Sequence, residues 1–218
     1  MKIAIDGPAG AGKSTIARTL SRELGFIYID TGAMYRALTL KALMNNISIE
    51  DSEALCELAQ IIDIHFEYNF NEQKLICEAE DLTDLIRSPQ VSAAVSTVAS
   101  FPEIREIMVK RQQEMARNHS VVMDGRDIGE CVLPDADYKF YLTASIEERS
   151  RRRLEELQSA GYKADMDATK KEILVRDMKD TQRQTGALKI LDDSIVIDTS
   201  DLTATQVLGR ILSIIRGE

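Results

Sequence analysis

The sequence contains few of the features that mark secreted or membrane proteins. Only three of its 218 residues are cysteines, Cys56, Cys77 and Cys131, and they lie far apart without CxxC spacing. We therefore expect neither a disulfide framework nor a zinc site, but small apolar side chains in a reducing compartment. No apolar run approaches the roughly 18 residues that span a membrane, and the first residues resemble a strand rather than a signal peptide. These absences predict a cytoplasmic protein without a membrane partner.

Positive charge is also scarce. The chain has 27 lysines and arginines against 36 aspartates and glutamates, which gives a net charge of -9. Because an acidic protein is repelled by a phosphate backbone, a nucleic-acid partner is not expected. With 44% hydrophobic and 29% charged residues, the composition is that of an ordinary globular protein. The basic residues that are present cluster locally, which suits a small anionic ligand.

The most specific motif lies in the first fifteen residues. An apolar run that ends at Asp6 leads into a match to G-x-x-x-x-G-K-[ST], followed by helix-forming sequence. Glycines allow the backbone to wrap around a phosphate, Lys13 can reach the β- and γ-phosphates, and the Ser14 hydroxyl can ligate Mg²⁺. A glycine-rich turn with a surface lysine is the weaker interpretation, because spacing and context agree. The motif predicts a nucleoside triphosphate site.

Strands alternate with helices over most of the chain. The predicted strands span about residues 1–6, 25–30, 120–124, 137–143 and 194–198, and this alternation predicts an α/β fold with a five-stranded parallel sheet covered on both faces. Two extended runs, 62–70 and 74–80, are bridged by Asn71, Glu72 and Gln73 and predict an antiparallel hairpin. A hairpin does not belong in a doubly wound sheet, so residues 62–88 are interpreted as an insertion.

Polar residues follow two of the predicted strands. Thr31 and Arg36 come after the second strand, and Asp124 ends the third, just before Arg126 and Asp127. Ligands bind at the carboxyl ends of parallel strands, so these residues are candidates for a site. A carboxylate at the end of an apolar strand can orient Mg²⁺ or its waters. A purely local Arg126–Asp127 salt bridge is the alternative.

Two later helices carry arginines. Ser145 and Glu148 predict a capping box for the first of them, in which Arg149 and Arg153 share a face. Ion pairing with glutamates of the same helix is an equally good interpretation there. A second helix over about 168–181 aligns Arg176 and Asp180, and Arg183 too if the helix continues that far. Such a stripe can grip phosphates, although an intrahelical ladder of ion pairs is possible.

These features favour a kinase that acts on a small molecule. The sequence lacks an N-K-x-D tetrapeptide, which weakens a GTPase interpretation. It places single arginines in several loops and helices, as phosphoryl transfer between two anions requires.

Four motifs in order give the chain a family resemblance. They are Gly7–Thr15, the segment Asp30–Arg36, the segment Asp124–Gly129 and the segment Arg176–Arg183. Together they resemble bacterial cytidylate kinases over nearly the whole chain, and the insertion falls where that family carries a small antiparallel sheet. The resemblance implies transfer of the γ-phosphate of ATP to CMP or dCMP with Mg²⁺, and a monomer. It also implies a single domain with core residues 1–30, 102–145 and 185–218, a monophosphate-binding region over 31–101 and a lid over 146–167.

The resemblance further implies a role for individual residues. ATP would be bound by Gly7, Pro8, Ala9, Gly10, Ala11, Gly12, Lys13, Ser14, Thr15, Arg149 and Arg153. CMP would be bound by Thr31, Arg36, Ser96, Arg105, Arg126, Asp127, Arg176, Asp180 and Arg183. Catalysis would rest on Lys13, Arg126, Arg176 and Arg183, and Mg²⁺ would be held by Ser14, with Asp124 acting through water. Two alternatives remain open, another small-molecule P-loop kinase and a nucleotide-dependent regulatory binding module.

Overall fold

A computed structural model describes residues 1–69 and 72–218. In chain order the elements are β1 (Lys2–Asp6), α1 (Lys13–Leu24), β2 (Ile27–Asp30), α2 (Thr31–Met44), α3 (Ser52–Ile61), β3 (Ile64–Asn69), β4 (Glu72–Cys77), β5 (Glu80–Asp81), α4 (Pro89–Val98), α5 (Pro102–Ala116), β6 (Val121–Gly125), β7 (Tyr138–Thr143), α6 (Ile146–Ser159), α7 (Met166–Thr181), β8 (Ile195–Asp198) and α8 (Ala204–Arg216). A 3₁₀-helix spans Leu85–Arg87 and a π-helix spans Ile128–Val132. The chain divides into two compact units, one of Met1–Tyr28 with Ala116–Glu218 and one of Ile29–Met115.

The main sheet has five parallel strands in the order β2-β6-β1-β7-β8, which confirms the predicted fold class. Its central strands are almost continuously apolar because helices cover a parallel sheet on both faces. Ile3, Ile5, Val122, Phe140 and Leu142 are all buried in this core. The apolar faces of α1 and α8 contribute further buried residues, among them Leu20, Val207 and Ile211.

The second unit contains the separate antiparallel sheet, in the order β3-β4-β5. Its register pairs Phe66 with Leu75 and Ile76 with Asp81. The hairpin is therefore present, but the predicted bridge is wrong at Glu72 and Gln73, which belong to β4. Its remaining residue, Asn71, and the predicted strand end at Phe70 lie outside the described residues. Leu38, Leu55 and Ile104 belong to the separate apolar core of this unit.

The starts of two helices have local causes. The second helix, α2, begins at Thr31, because the Asp30 carboxylate accepts the Ala33 amide at 2.8 Å. Similarly, α7 begins at Met166, two residues before its predicted start, because the Asp165 carboxylate accepts the Ala168 amide at 2.9 Å. It ends at Thr181, so Arg183 lies beyond the helix.

The predicted capping box at the start of α6 forms only in part. The Ser145 hydroxyl accepts the Glu148 amide, but the Ser145 amide donates to the Ser200 hydroxyl instead of to Glu148. The Glu148 carboxylate instead accepts hydrogen bonds from Arg151 and Arg152.

Across residues 1–69 and 72–218, no helix is both long and apolar enough to cross a membrane.

Candidate active site

The loop between β1 and α1 has the backbone shape that its glycines predict. Gly10 and Gly12 have φ values of 75° and 85°, in the left-handed region that favours glycine. A Cβ on Gly10 would lie 2.8 Å from the Arg149 carbonyl oxygen, and one on Gly7 would lie 2.0 Å from the Leu142 carbonyl oxygen. Larger residues therefore do not fit at these two positions. The loop ends at the amino terminus of α1, where free backbone N–H groups and the helix dipole favour an anion.

Lys13 is buried at the first turn of α1. Its ammonium group donates to the Pro8 carbonyl oxygen at 2.7 Å. Burial lowers the pKa of Lys13 well below its ordinary value, and the positive charges of Arg126 and Arg176 lower it further, against the opposing effect of Asp124 and Asp180. The protein therefore holds several cations together at a cost that a bound polyanion would offset.

Asp124, at the end of β6, is held by two hydroxyl groups. The Ser14 hydroxyl donates to its Oδ2 at 2.8 Å and the Tyr28 hydroxyl donates to its Oδ1 at 2.8 Å. Sequence reasoning missed Tyr28, because a buried strand tyrosine gives no motif signal. Hydroxyl and carboxylate oxygens are the hard ligands that Mg²⁺ prefers, so this pair fits the predicted metal. In the described part of the chain, His, Cys, Asp and Glu form no cluster of three or more that could hold a metal ion.

Asp180 connects two of the predicted arginines. Arg126 donates from Nε to one carboxylate oxygen at 2.6 Å, and Arg183 donates to the other. Burial acts against the charge of Asp180, but Arg126, Arg183 and Arg176 together lower its pKa. Arg183 thus reaches the stripe although it lies outside α7. The Asp180 carboxylate therefore holds the Arg126 and Arg183 guanidinium groups, one on each of its oxygens.

A second carboxylate on α7, Asp177, contacts the phosphate-binding loop. It pairs with Arg149 and accepts a hydrogen bond from the Ala9 amide at 3.3 Å, while Arg149 donates to the Ala9 carbonyl oxygen at 3.1 Å. Arg149 is buried and also donates to the Ala144 carbonyl oxygen at 3.1 Å. Asp177 was not predicted from the sequence, because it lies between Arg176 and Asp180 and is not aligned with them on the predicted stripe.

The remaining arginines of α6 have different surroundings. Arg152 donates to the Thr199 carbonyl oxygen at 2.7 Å, and its guanidinium lies 3.6 Å from where a Cβ on Gly12 would be. Arg153 donates to Glu156 at 3.3 Å. The residue of this helix that lies beside Gly12 is therefore Arg152, which sequence reasoning did not assign to the site. ATP binding by Arg153 stays a prediction.

In the second unit, Asp30 holds a pair of arginines. Arg36 donates to both Asp30 carboxylate oxygens at 3.2 Å, and Arg87 lies 3.7 Å from one of them. The Arg36 Nε is buried and has no hydrogen-bond acceptor among residues 1–69 and 72–218. Arg87 ends the 3₁₀-helix and belongs to no periodic pattern in the sequence. The two guanidinium groups form a cationic patch suited to a phosphate.

The other predicted residues of this unit lie on helices. Arg105 of α5 is buried, stacks over the Tyr35 ring at 5.8 Å and donates to the Ala99 carbonyl oxygen at 3.4 Å. Ser96 of α4 and Thr31 at the start of α2 are buried. In the first unit, Asp127 is also buried and directly precedes the π-helix. The predicted residues therefore form two groups, one in each unit.

Comparison with known proteins identifies the family. A sequence model described as cytidylate kinase matches residues 3–217 of the chain. The chain belongs to the cytidylate kinase family. It is 51% identical to a cytidylate kinase of Caldanaerobacter subterraneus subsp. tengcongensis, covering 99% of this chain and 95% of that protein. It is 45% identical to a cytidylate kinase of Bacillus cereus, covering 100% and 96%, and 48% identical to one of Desulfitobacterium hafniense, covering 98% and 92%. The resemblance to cytidylate kinases and the prediction of a kinase are confirmed, and the regulatory-module alternative is not favoured.

Solved structures agree with this family at the level of the fold. A shikimate kinase from Bacteroides thetaiotaomicron superposes with a TM-score of 0.51 at 14% identity, covering 99% of this chain and 98% of that one. An uncharacterized protein from Eubacterium ventriosum gives a TM-score of 0.53 at 14% identity, covering 100% and 99%. At such low identity the likeness shows the fold shared with P-loop kinases and carries no information about the acceptor.

Proposed function

We propose that the chain transfers the γ-phosphoryl group of ATP to CMP or dCMP, giving ADP and CDP or dCDP. The observation that carries the proposal is the cationic cluster around buried Lys13, whose pKa is lowered by burial, Arg126 and Arg176. Phosphoryl transfer spreads negative charge over the oxygens of the group in flight, and preorganised cations stabilise that charge. The cost of holding these cations together is then offset by the substrates themselves.

ATP is bound by the loop residues Gly7–Thr15, through the Lys13 ammonium group and through backbone N–H groups at the start of α1. Positioning and electrostatic stabilisation supply most of the catalysis in phosphoryl transfer, so no residue needs to become covalently modified. Lys13, Arg126, Arg176 and Arg183 stabilise the transferring group. Asp180 keeps Arg126 and Arg183 oriented, which lowers the entropy lost when they bind phosphate.

Mg²⁺ would be held by the Ser14 hydroxyl, with Asp124 acting through water. When bound, the ion would supply positive charge that offsets the negative charge of the phosphates. Tyr28 donates to the Asp124 oxygen that Ser14 leaves open, and so orients the carboxylate. The two proposed Mg²⁺-binding residues therefore come from the start of α1 and the end of β6.

The CMP phosphate is bound by Arg36 and Arg126. A phosphate monoester carries roughly -1.5 to -2 charges at neutral pH, which suits paired guanidinium groups. The buried Nε of Arg36, which has no acceptor within the described residues, is a donor available to such a ligand. Arg87 shares the Asp30 carboxylate with Arg36, so we add it to the phosphate-binding residues.

Ser96, Arg105 and Asp127 bind the cytosine ring, and Thr31, Arg176 and Asp180 bind or support the sugar region. Cytosine presents an N4 amino donor beside N3 and O2 acceptors, so a carboxylate and a hydroxyl complement the amino group while arginine complements the acceptors. Uracil reverses the pattern at C4 and N3. It would leave buried acceptors facing an acceptor, which favours CMP over UMP.

Residues 146–167 form a lid that closes over ATP, with Arg149 and Arg153 as its predicted nucleotide contacts. The core comprises 1–30, 102–145 and 185–218, and residues 31–101 bind the monophosphate. We further propose that the enzyme is a cytoplasmic monomer. Closure excludes water, which protects the γ-phosphate from hydrolysis.

Phosphorus NMR of a reaction mixture tests this function. With ATP, Mg²⁺ and CMP, the expected result is equal growth of ADP and CDP resonances without inorganic phosphate. Release of inorganic phosphate alone would indicate an ATPase, and an unchanged spectrum would reject phosphoryl transfer to CMP.

A further inference from the structure

Asp6 is a buried carboxylate that no step above uses. It is the last residue of β1, the central strand, and it directly precedes the phosphate-binding loop. Its two oxygens accept backbone hydrogen bonds from the Ile128 amide at 2.8 Å and the Gly129 amide at 2.9 Å. These amides lie at the start of the π-helix, immediately after Arg126 and Asp127. One side chain therefore fixes the backbone next to two proposed substrate-binding residues.

The peptide group between Asp127 and Ile128 is held on both sides. Its N–H donates to Asp6, and its carbonyl oxygen, from Asp127, accepts the Cys131 amide at 2.8 Å. Because both ends of the peptide are bound, its plane has little freedom to rotate. The direction in which Asp127 leaves the backbone is set by that plane and by φ of -143°.

We propose that Asp6 is a positioning residue, which orients Arg126 and Asp127 for the monophosphate and its base through the Ile128 and Gly129 amides. The assignment rests on the proposed function for CMP. Asp6 itself touches neither the substrate nor the reacting atoms.

The carboxylate at this position is energetically costly, which argues against a merely space-filling role. Burial raises the pKa of Asp6 to about 6 in spite of the two backbone hydrogen bonds. Among the charged and titratable neighbours, Asp127 raises the pKa further and Lys13 lowers it, and Asp6 in turn raises the pKa of Tyr141. An apolar side chain would avoid that cost but would offer no acceptor to the two amides.

Asp6→Asn tests the proposal, because it preserves size while replacing one acceptor with an amide donor. We expect amide hydrogen exchange in the segment 126–133 to accelerate in the protein without nucleotides. We also expect kcat/KM for CMP to fall by about tenfold to a hundredfold, as for loss of a buried hydrogen bond to a charged group. The ratio of kcat/KM for CMP over UMP should fall, while KM for ATP should change less than KM for CMP.

Asp51→Asn is the matched control. Asp51 also accepts a backbone amide, from Ala54 at 3.1 Å, but it caps α3 and belongs to no site described above. This variant should keep all kinetic constants of the parent protein.

The outcomes separate the two proposals. If the parent protein does not phosphorylate CMP, the proposed function is wrong, and Asp6 is tested by the KM for the acceptor that it does use. If CMP is the acceptor and Asp6→Asn leaves KM for CMP and the CMP over UMP ratio unchanged, the positioning role is wrong. Unchanged exchange over 126–133 would likewise overturn it, since exchange is measured without any substrate.

Discussion

Buried Arg149 and partly exposed Asp177 form an ion pair that encloses the peptide groups of Ala9 in the phosphate-binding loop. Arg149 donates to the Ala9 carbonyl oxygen and Asp177 accepts from the Ala9 amide. Two helices, α6 and α7, are thereby attached to the loop through one residue. Since Gly10 also packs against the Arg149 backbone, the shape of the loop depends on this pair.

Asp177→Asn is expected to weaken ATP binding. The substitution leaves the buried Arg149 charge without its carboxylate, and because Asp177 is partly exposed the unfolding free energy should fall by less than the roughly 3 kcal/mol that breaking a fully buried pair costs. KM for ATP should rise while KM for CMP changes less. Asp167→Asn, which removes an exposed carboxylate from the first turn of the same helix, is the control. An unchanged KM for ATP in Asp177→Asn would show that the pair does not shape the loop.

Lys13→Ala should lower kcat by several orders of magnitude while the protein remains folded. The charged form of Lys13 is disfavoured in the folded state, because burial and the neighbouring arginines lower its pKa. Relief of that repulsion should offset part of the unfolding free energy lost with its buried side chain and its hydrogen bond to Pro8. Turnover and urea denaturation measured side by side test both statements, with Lys110→Ala, at an exposed pair with Glu106, as the control. Near-normal turnover would remove Lys13 from catalysis.

Asp6 gives stability a defined dependence on pH. Its pKa is about 6 in the folded protein against an ordinary value of 3.8, a difference equivalent to about 3 kcal/mol. The raised pKa means that the folded state binds the Asp6 proton more tightly than the unfolded state does. The resulting contribution to the unfolding free energy is fully present below pH 3.8 and is lost as the pH rises through 6. The unfolding free energy of the parent protein relative to Asp6→Asn should therefore fall between pH 4 and pH 7. A difference that stays constant or rises over that range contradicts the assignment.

Asp127→Ala should reduce the preference for CMP over UMP. The lost carboxylate is the group proposed to accept from the N4 amino donor, which uracil lacks. Discrimination by a single hydrogen-bonding group is worth about 1–3 kcal/mol, or about fivefold to 150-fold in the ratio of kcat/KM values. Steady-state kinetics with both nucleotides measures that ratio directly. A ratio equal to that of the parent protein would remove Asp127 from the base-binding residues.

The sequence predicted the parts of the structure that follow from periodicity and from short motifs. The five parallel strands and the loop before Lys13 are where the apolar runs and the glycine spacing placed them. Residues 128–132, by contrast, form a π-helix, whose i→i+5 bonding has no simple sequence period. Arg183 lies beyond the end of α7 and still donates to Asp180. The course of the chain after the helix therefore brings the two residues together, and helical spacing does not.

Residues whose role depends on a distant partner were harder to find. Tyr28 is separated from Asp124 by 96 positions and Asp177 from Ala9 by 168, and neither pair belongs to a local pattern. The position of Arg152 beside Gly12 was not predicted for the same reason. Helical spacing groups Arg149 with both Arg152 and Arg153, and only the position of Thr199 distinguishes the residue that lies beside Gly12.

The central claim is tested most directly by ADP release with ATP and Mg²⁺ against a panel of acceptors, CMP, dCMP, UMP, AMP, GMP and shikimate. We predict rapid turnover with CMP and dCMP and much lower kcat/KM with the other four. Preferential turnover of any of those four would contradict the cytosine-binding assignment of Ser96, Arg105 and Asp127.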